Sequence, residues 1–244
     1  MDKLNKKKVL VLVEGKTDKK IMRKLFESYE ELDIKYEIVA YCTNIYVLYK
    51  EYFHNQIIQD SLDLLQVLRS REKEPNKKLL FDDKYTDILL IFDLDPQEPQ
   101  FSSNKISQMQ NHFNESSDNG KLYINYPMVE SFYHRAEIPD PNYINLIIAK
   151  DELKKYKSIV NEKSKGRSCR KFAIDKNEFN KLILLNLEKA FKILGKDIKP
   201  LDVWIEINMV KLLEKQLVCL QSNFLYVLCT CIMYIYDYNY KLLL

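Results

Sequence analysis

Long apolar runs are missing from this sequence. The most apolar stretch, Phe224 to Tyr236, is shorter than the roughly 20 residues that cross a bilayer. That argues against a membrane anchor and predicts a buried strand or helix near the C-terminus. An excess of one charge sign is missing too: 38 basic residues face 35 acidic ones, for a net charge of +3. Such a balance neither demands nor forbids a nucleic-acid partner, because the distribution of charge matters more than its sum. Paired cysteine motifs are absent as well. Cys42, Cys169, Cys219, Cys229 and Cys231 are odd in number and irregular in spacing. Cys229 and Cys231 lack a matching Cys/His pair nearby and read as small buried hydrophobes rather than zinc ligands. The segment Met1 to Lys8 is charged and runs into a strand, unlike a secretory leader, so free thiols and a cytoplasmic location are expected. Internal repeats and low-complexity tracts are absent.

What remains is an ordinary globular composition, 46% hydrophobic and 30% charged over 244 residues. That length supports one domain with an appendage, or two small ones. Val9 to Val13 (VLVLV) is continuously apolar, as strands buried on both faces of a parallel sheet are. It ends at Glu14-Gly15, after which Thr17 and Asp18 offer an N-cap and Ile21, Met22, Leu25 and Phe26 fall at helical spacing. Tyr36 to Tyr41 reads as a second strand, Ile57 to Leu68 as an amphipathic helix, and Glu72 to Lys78 as a surface turn. Asp87 to Phe92 (DILLIF) is a third buried strand. A helix carrying Ile106, Met109 and Phe113 follows, capped by Ser102 or Ser103, then a loop over Glu115 to Gly120 and a short strand at Leu122 to Ile124. Pro127 fits the first turn of a further helix that presents Glu130.

This alternation predicts β-α-β units, right-handed crossovers and an α/β parallel sheet flanked by helices over residues 1–135. Beyond Arg135 the alternation stops, and Asp140-Pro141 marks the expected boundary. Residues 136–244 are expected to be mainly helical, with helices over Asp151 to Val160, Lys176 to Leu194 and Ile205 to Leu220. That region would serve substrate binding or dimerisation, or hold a regulatory protein partner.

Ligands of parallel α/β sheets bind at the C-terminal ends of the strands. Glu14 and the pair Asp93/Asp95 both fall there. On extended backbone, Asp93 and Asp95 would point to one side, about 6–7 Å apart. Carboxylates gathered at one site repel one another unless a cation relieves them. Oxygen-only donors suit a hard ion such as Mg²⁺ or Mn²⁺.

Val13-Glu14-Gly15-Lys16-Thr17-Asp18 followed by Ile91-Phe92-Asp93-Leu94-Asp95 resembles the TOPRIM domain, over roughly residues 7–135. That Rossmann-like domain occurs in topoisomerases, bacterial primases, ribosomal-RNA maturation nucleases, OLD-family nucleases and RloB-type anticodon nucleases. The resemblance implies acid/base or metal-binding work for Glu14, and Mg²⁺ or Mn²⁺ binding by Asp93 and Asp95. It also implies a tight turn at Gly15, and makes Asp18 either the helix-start acid of the motif or an N-cap. Asn125-Tyr126-Pro127-Met128-Val129-Glu130-Ser131-Phe132 is similar to a stretch of RloB-like proteins in which a late glutamate joins the metal cluster. Glu130 matches it; an exposed helix acid is the other reading. The features of topoisomerases, primases and ATPase-linked OLD proteins outside this domain are not found, so the resemblance points to a small nuclease.

The function expected is metal-dependent hydrolysis of phosphodiesters by an endonuclease, with Glu14, Asp93, Asp95 and Glu130 as catalytic and metal-binding residues. The resemblance tilts the substrate toward structured RNA such as tRNA, and the role toward phage defence. Phosphate contacts are expected from Lys16 at a helix N-terminus and from Lys163, Lys165, Arg167, Arg170 and Lys171, unless these are solvated lysines and a solvated loop. His134 offers a proton donor or a structural histidine. The aromatics between residues 29 and 53 offer base stacking or core. Three alternatives stay open: a DNA-nicking nuclease, a primase-like nucleotidyl transferase, and a non-catalytic scaffold that binds nucleic acid or protein. A receiver-like or phosphatase-like domain is disfavoured, because those folds place the paired acids after the first strand.

Overall fold

The computed structural model describes residues 6–56, 63–117, 119–173, 175–196, 201 and 204–244, with the side chains of 54–56 and 170 excepted. In chain order the chain forms β1 (Lys8–Val13), α1 (Lys16–Ser28), β2 (Lys35–Ala40), α2 (Ile45–Gln56), α3 (Leu64–Arg71), α4 (Pro75–Lys78), β3 (Asp87–Asp93), α5 (Ser103–His112), β4 (Asn114–Glu115) and β5 (Gly120–Asn125). A 3-10 turn at Val129–Tyr133 leads into the second half. There follow β6 (Ile147–Ala149), α6 (Tyr156–Lys163), α7 (Lys176–Ile193), α8 (Met209–Gln221), β7 (Phe224–Tyr226) and α9 (Tyr234–Asn239).

The central sheet runs in the order β2-β1-β3-β5-β4. Its first four strands are parallel, and β4 closes the β5 edge antiparallel. Val9 to Val13 and Leu89 to Phe92 are fully buried, so the two central strands are packed on both faces, as their unbroken apolar sequences require. The fold is therefore α/β, with a mostly parallel sheet flanked by helices. Helix α1 buries Ile21, Met22, Leu25 and Phe26 as the spacing predicts. It lies along β1 and β2 and also touches α7.

Several local expectations are revised. Helix α2 had no counterpart in the sequence reading. Residues 57–62 of the expected Ile57–Leu68 helix lie outside the described residues. Its later part survives as α3, which buries Leu64, Val67 and Leu68 rather than Leu65. The Glu72–Lys78 turn contains the short helix α4, with Pro75 as its first residue. The Glu115–Gly120 loop takes Glu115 into β4. Pro127 does not open a helix: it follows a cis peptide bond, and Glu130 sits in the 3-10 turn after Met128. The helix expected from Ile205 begins only at Met209, where Asn208 accepts the Lys211 N–H at 2.8 Å.

The C-terminal half folds back onto the sheet. Tyr126 and Leu228 form an isolated bridge, and Thr230 donates its hydroxyl to the Ile124 carbonyl at 2.8 Å. Asn125, at the end of β5, accepts the Thr230 and Cys231 N–H groups at 3.2 and 3.4 Å. One continuous core therefore runs from β1 to Tyr236. The apolar run from Phe224 is buried as expected, partly strand and partly helix. All five cysteines are free thiols; Cys229 and Cys231 are buried with their Sγ atoms 3.5 Å apart.

Candidate active site

The C-terminal ends of β1 and β3 are neighbours in register, with Val13 opposite Ile91. That pairing alone brings Glu14 beside Asp93. The Asp93 N–H donates to Glu14 Oε2 at 3.2 Å, and the Glu14 N–H donates to the Ile91 carbonyl at 3.0 Å. On the other side, Cys42 N–H donates to the Glu14 carbonyl at 3.0 Å, tying the end of β2 to the same rim.

Asp93 is the last residue of β3 and is buried. The extended-backbone expectation for Asp93 and Asp95 fails here. The strand stops at Asp93, and Asp95 takes φ 47°, the left-handed region that Asp tolerates better than most residues. The chain turns because Leu94 and Asp95 donate their N–H groups to the Asn125 and Pro127 carbonyls, each at 3.1 Å. Leu94 fills the core, and its carbonyl accepts the buried Tyr46 hydroxyl at 2.7 Å. Asp95 accepts from the Gln97 side chain at the mouth of this turn.

Asp18 is not the helix cap. Gly15 precedes the helix, and Asp18, three residues on, receives the Gly15 N–H on Oδ2 at 3.1 Å. This is the acid half of a capping box. Its other oxygen, Oδ1, is buried without a hydrogen-bond partner among the described residues. Gly15 itself is extended, at φ −146°, and a Cβ there would approach nothing nearer than Asp18 Oδ2 at 3.7 Å. The chain does turn tightly from β1 to α1 across Glu14 and Gly15, but the turn does not require glycine. Glu130 is buried, not an exposed helix acid. Its Oε1 lies 3.6 Å from the Lys157 ammonium of α6, while its Oε2 is buried and unpartnered among the described residues.

These acids feel one another. Burial, with the Asp18 and Asp95 carboxylates, pushes Glu14 up to about 8. Burial, with Glu130, pushes Asp18 up to about 7. Asp93 is raised well above the usual carboxylate range by burial and then by Asp18, Glu14, Glu130 and Asp95. Asp95 rises to about 6, mainly by burial, with Lys157 opposing. Lys157 in turn is raised, first by Glu130 and also by Asp93 and Asp95. Buried acids that raise one another in this way are the usual mark of a functional cluster.

No family model, no curated protein and no solved structure matches this chain. The chemistry has to be read from the residues.

Among the described residues, no group of three or more His, Cys, Asp or Glu side chains stands ready to hold a metal ion. The donor chemistry nevertheless fits a hard cation. Asp18 Oδ1, Asp93 Oδ1 and Glu130 Oε2 are buried acceptors without donors among the described residues, and a buried polar oxygen left without a partner is costly. A divalent ion satisfies oxygen acceptors and removes their repulsion together.

The remaining sequence candidates divide. Lys16 opens α1 with an exposed side chain, and Lys163, Lys165 and Lys171 are exposed. The 3-10 turn Cys169–Lys171 packs against α1 and the Val129–Tyr133 turn, so this basic segment borders the acidic rim. Arg167 is spent on the fold: its guanidinium donates to the Ala136 and Ser164 carbonyls and lies 4.6 Å from the Phe172 ring. The Arg170 side chain lies outside the described residues. His134 is buried against Tyr156, 3.2 Å from its hydroxyl, and burial with Arg135 lowers it to about 4. A proton donor near neutral pH is therefore not available there. Tyr29, Tyr41, Tyr46 and Tyr52 are buried and belong to the core, while Tyr36, Tyr49 and Phe53 are half-buried against it.

Two residues escaped the sequence reading. Lys157 lay among other lysines of a helical stretch with nothing to single it out. Asn125 opened the stretch that resembles RloB-like proteins, but nothing there signalled that its side chain anchors the C-terminal segment beside Asp93.

Proposed function

We propose that the rim formed by Glu14, Asp18, Asp93, Asp95 and Glu130 is the active site of a divalent-metal-dependent nuclease on a TOPRIM-like fold. The observation that carries this reading is that Asp18, Asp93 and Glu130, each buried with an oxygen unpartnered among the described residues, gather with half-buried Glu14 and Asp95 where adjacent parallel strands end. Glu14, Asp93, Asp95 and Glu130 would hold Mg²⁺ or Mn²⁺, with Asp18 beside them. The ion would supply charge neutralisation at a phosphodiester and a more acidic water.

The chain's own groups supply the rest. Glu14, whose Oε2 already accepts the Asp93 N–H at 3.2 Å, would ligate the ion or take the proton of its water. Lys157 places a positive side chain against the acids on the α6 side of the rim, and it suits a non-bridging phosphate oxygen. Exposed Lys163, Lys165 and Lys171 would track the flanking phosphates, giving a salt-sensitive affinity. Structured RNA such as tRNA is the substrate proposed, on the sequence resemblance, with phage defence as the setting.

The test is incubation of the protein with total tRNA and with plasmid DNA, in Mn²⁺ or EDTA, on denaturing gels. Discrete RNA fragments that vanish in EDTA and in Asp93→Asn are expected. DNA nicking alone would move the substrate to DNA. Cleavage that survives both EDTA and Asp93→Asn would remove the carboxylates from the chemistry. The competing reading is a scaffold that binds nucleic acid without cutting it. Gel retardation without any cleavage in Mn²⁺ would select that reading.

A further inference from the structure

At the other pole of the sheet, where the parallel strands begin, lies a cavity of about 390 Å³. It is bordered by Lys7 just ahead of β1, Asp87 at the start of β3, Glu115 of β4, Lys121 of β5, and Tyr234, Asp237 and Tyr238 of α9. Trp204 and Glu206 close one side. The volume lies within the range of small-molecule sites.

Its walls are aromatic and its charge is acidic. Asp87, Glu115, Glu206 and Asp237 oppose only Lys7 and Lys121 among the described residues. Asp237 is fixed by two bonds, both on Oδ2, from the Lys121 ammonium at 2.7 Å and the Tyr123 hydroxyl at 2.8 Å. Tyr234 is 2% exposed, and its hydroxyl is buried with no hydrogen-bond partner among the described residues. An orphaned hydroxyl in the wall of an open cavity marks a place for a ligand donor or acceptor. The protein's own ammonium groups already use these faces: Lys7 Nζ lies 5.1 Å from the Tyr238 ring centroid, and Lys121 Nζ 5.6 Å from that of Tyr123. Trp204, the only tryptophan, is 46% exposed at the mouth, and indole is the strongest cation-binding ring among the side chains.

We propose that this cavity binds a small organic polycation of the polyamine class, its ammonium groups shared between the Trp204 face and the Asp237 and Glu206 carboxylates, with the Tyr234 hydroxyl accepting from one of them. A bare metal ion would leave the aromatic walls unused. A neutral ligand would leave the excess carboxylate charge unopposed. The site stands at the strand ends opposite Glu14 and Asp93, so it does not depend on the nuclease reading.

Trp204 is a built-in reporter. The full-length protein would be titrated with spermidine at constant ionic strength, following tryptophan fluorescence, with calorimetry as a second readout. Saturable binding is expected. Glu206→Gln and Asp237→Asn should each weaken it at least about tenfold, and Tyr234→Phe should weaken it about threefold. Far-UV circular dichroism separates misfolding of Asp237→Asn, and the rim variant Glu206→Gln carries the test if that variant fails to fold. Asp93→Asn should bind spermidine as the unaltered protein does, which separates this cavity from the acidic rim. N-acetyl-arginine amide, a mimic of a partner's side chain, should bind far more weakly. Equal binding would replace the polyamine by an arginine of a partner protein and overturn the ligand class. A fluorescence change reproduced by NaCl, or one indifferent to Glu206→Gln and Tyr234→Phe together, would overturn the site.

Discussion

Glu14→Gln should raise the melting temperature of the metal-free protein at neutral and alkaline pH. Burial, reinforced by the Asp18 and Asp95 carboxylates, displaces Glu14 from an ordinary 4.5 to about 8. A folded state that holds a proton more tightly than the unfolded chain is favoured while that proton is bound. Its contribution is complete below about pH 4.5 and lost as pH rises through about 8. At about 1.4 kcal/mol per pH unit, the loss across that window is bounded on the order of 5 kcal/mol. Asp18, at about 7, and Asp95, at about 6, act in the same direction. They relieve one shared repulsion, so their contributions overlap rather than sum. For a chain of this length, 1 kcal/mol moves the melting temperature by roughly 2–4 °C. In EDTA, the unaltered protein should therefore lose roughly 10–20 °C between pH 5 and 9 relative to Glu14→Gln. Gln keeps an oxygen for the Asp93 N–H now bonded at 3.2 Å, so the comparison changes charge with little change in packing. Thermal melts by circular dichroism, with and without Mn²⁺, read the effect, and Mn²⁺ should restore the unaltered protein more than the variant. Parallel melting curves for the two proteins from pH 5 to 9 would refute the view that this rim confines a buried carboxylate charge.

Lys157→Met removes the cation that competes for Glu130, 3.6 Å away. Mn²⁺ should bind this variant at least as tightly by calorimetry while cleavage slows at least tenfold, and weaker Mn²⁺ binding would contradict the role given to Lys157. Replacing Lys163, Lys165 and Lys171 together with Glu should weaken RNA binding and flatten its salt dependence by about one log–log unit for each phosphate no longer neutralised. A slope unchanged in filter binding would mean that these exposed lysines face solvent only. Gly120→Ala should destabilise the fold by about 3 kcal/mol, because Gly120 has φ 114° and a Cβ would come within 2.7 Å of Leu90 Cδ1. A chemical-denaturation midpoint unchanged from the parent would sink that expectation.

The parallel core was legible because burial on both faces leaves no room for polar residues. Val9–Val13 and Asp87–Phe92 could be little else, and both are central strands. Helix α1 was legible for the opposite reason: it buries one stripe, so Ile21, Met22, Leu25 and Phe26 recur at its period. Helix α2 was hidden because apolar and aromatic residues surround it. Ile45, Tyr46, Leu48 and Tyr52 are buried while Tyr49 and Phe53 pack at the margin, and no single stripe stands out. The C-terminal half was legible as helices but not as a lid on β5, since the bonds from Thr230 and Cys231 to Asn125 span more than a hundred residues.

The acidic rim was legible as residues but not as geometry. Glu14 and Asp93 both end parallel strands, so their meeting at one rim of the sheet could be expected. The disposition of Asp95 could not, because it depends on which carbonyls capture the Leu94 and Asp95 N–H groups. Those carbonyls belong to Asn125 and Pro127, more than thirty residues downstream, and they bend the chain where sequence alone predicts a straight extension. The same bonds explain why Glu130 reaches the rim without a helix to present it. The segment after β5 is held against the Asp93–Asp95 turn by the Asp95 N–H bond to Pro127 at 3.1 Å, and Glu130 follows three residues later in a 3-10 turn. One backbone exchange thus turns Asp95 out of the strand and brings Glu130 in, so the two acids should respond together. Pro127→Ala keeps the carbonyl but removes the ring that fixes φ ahead of the turn. It should weaken Mn²⁺ binding to a degree comparable with Glu130→Gln. If Pro127→Ala binds Mn²⁺ as the unaltered protein does while Glu130→Gln does not, the turn is not what positions Glu130.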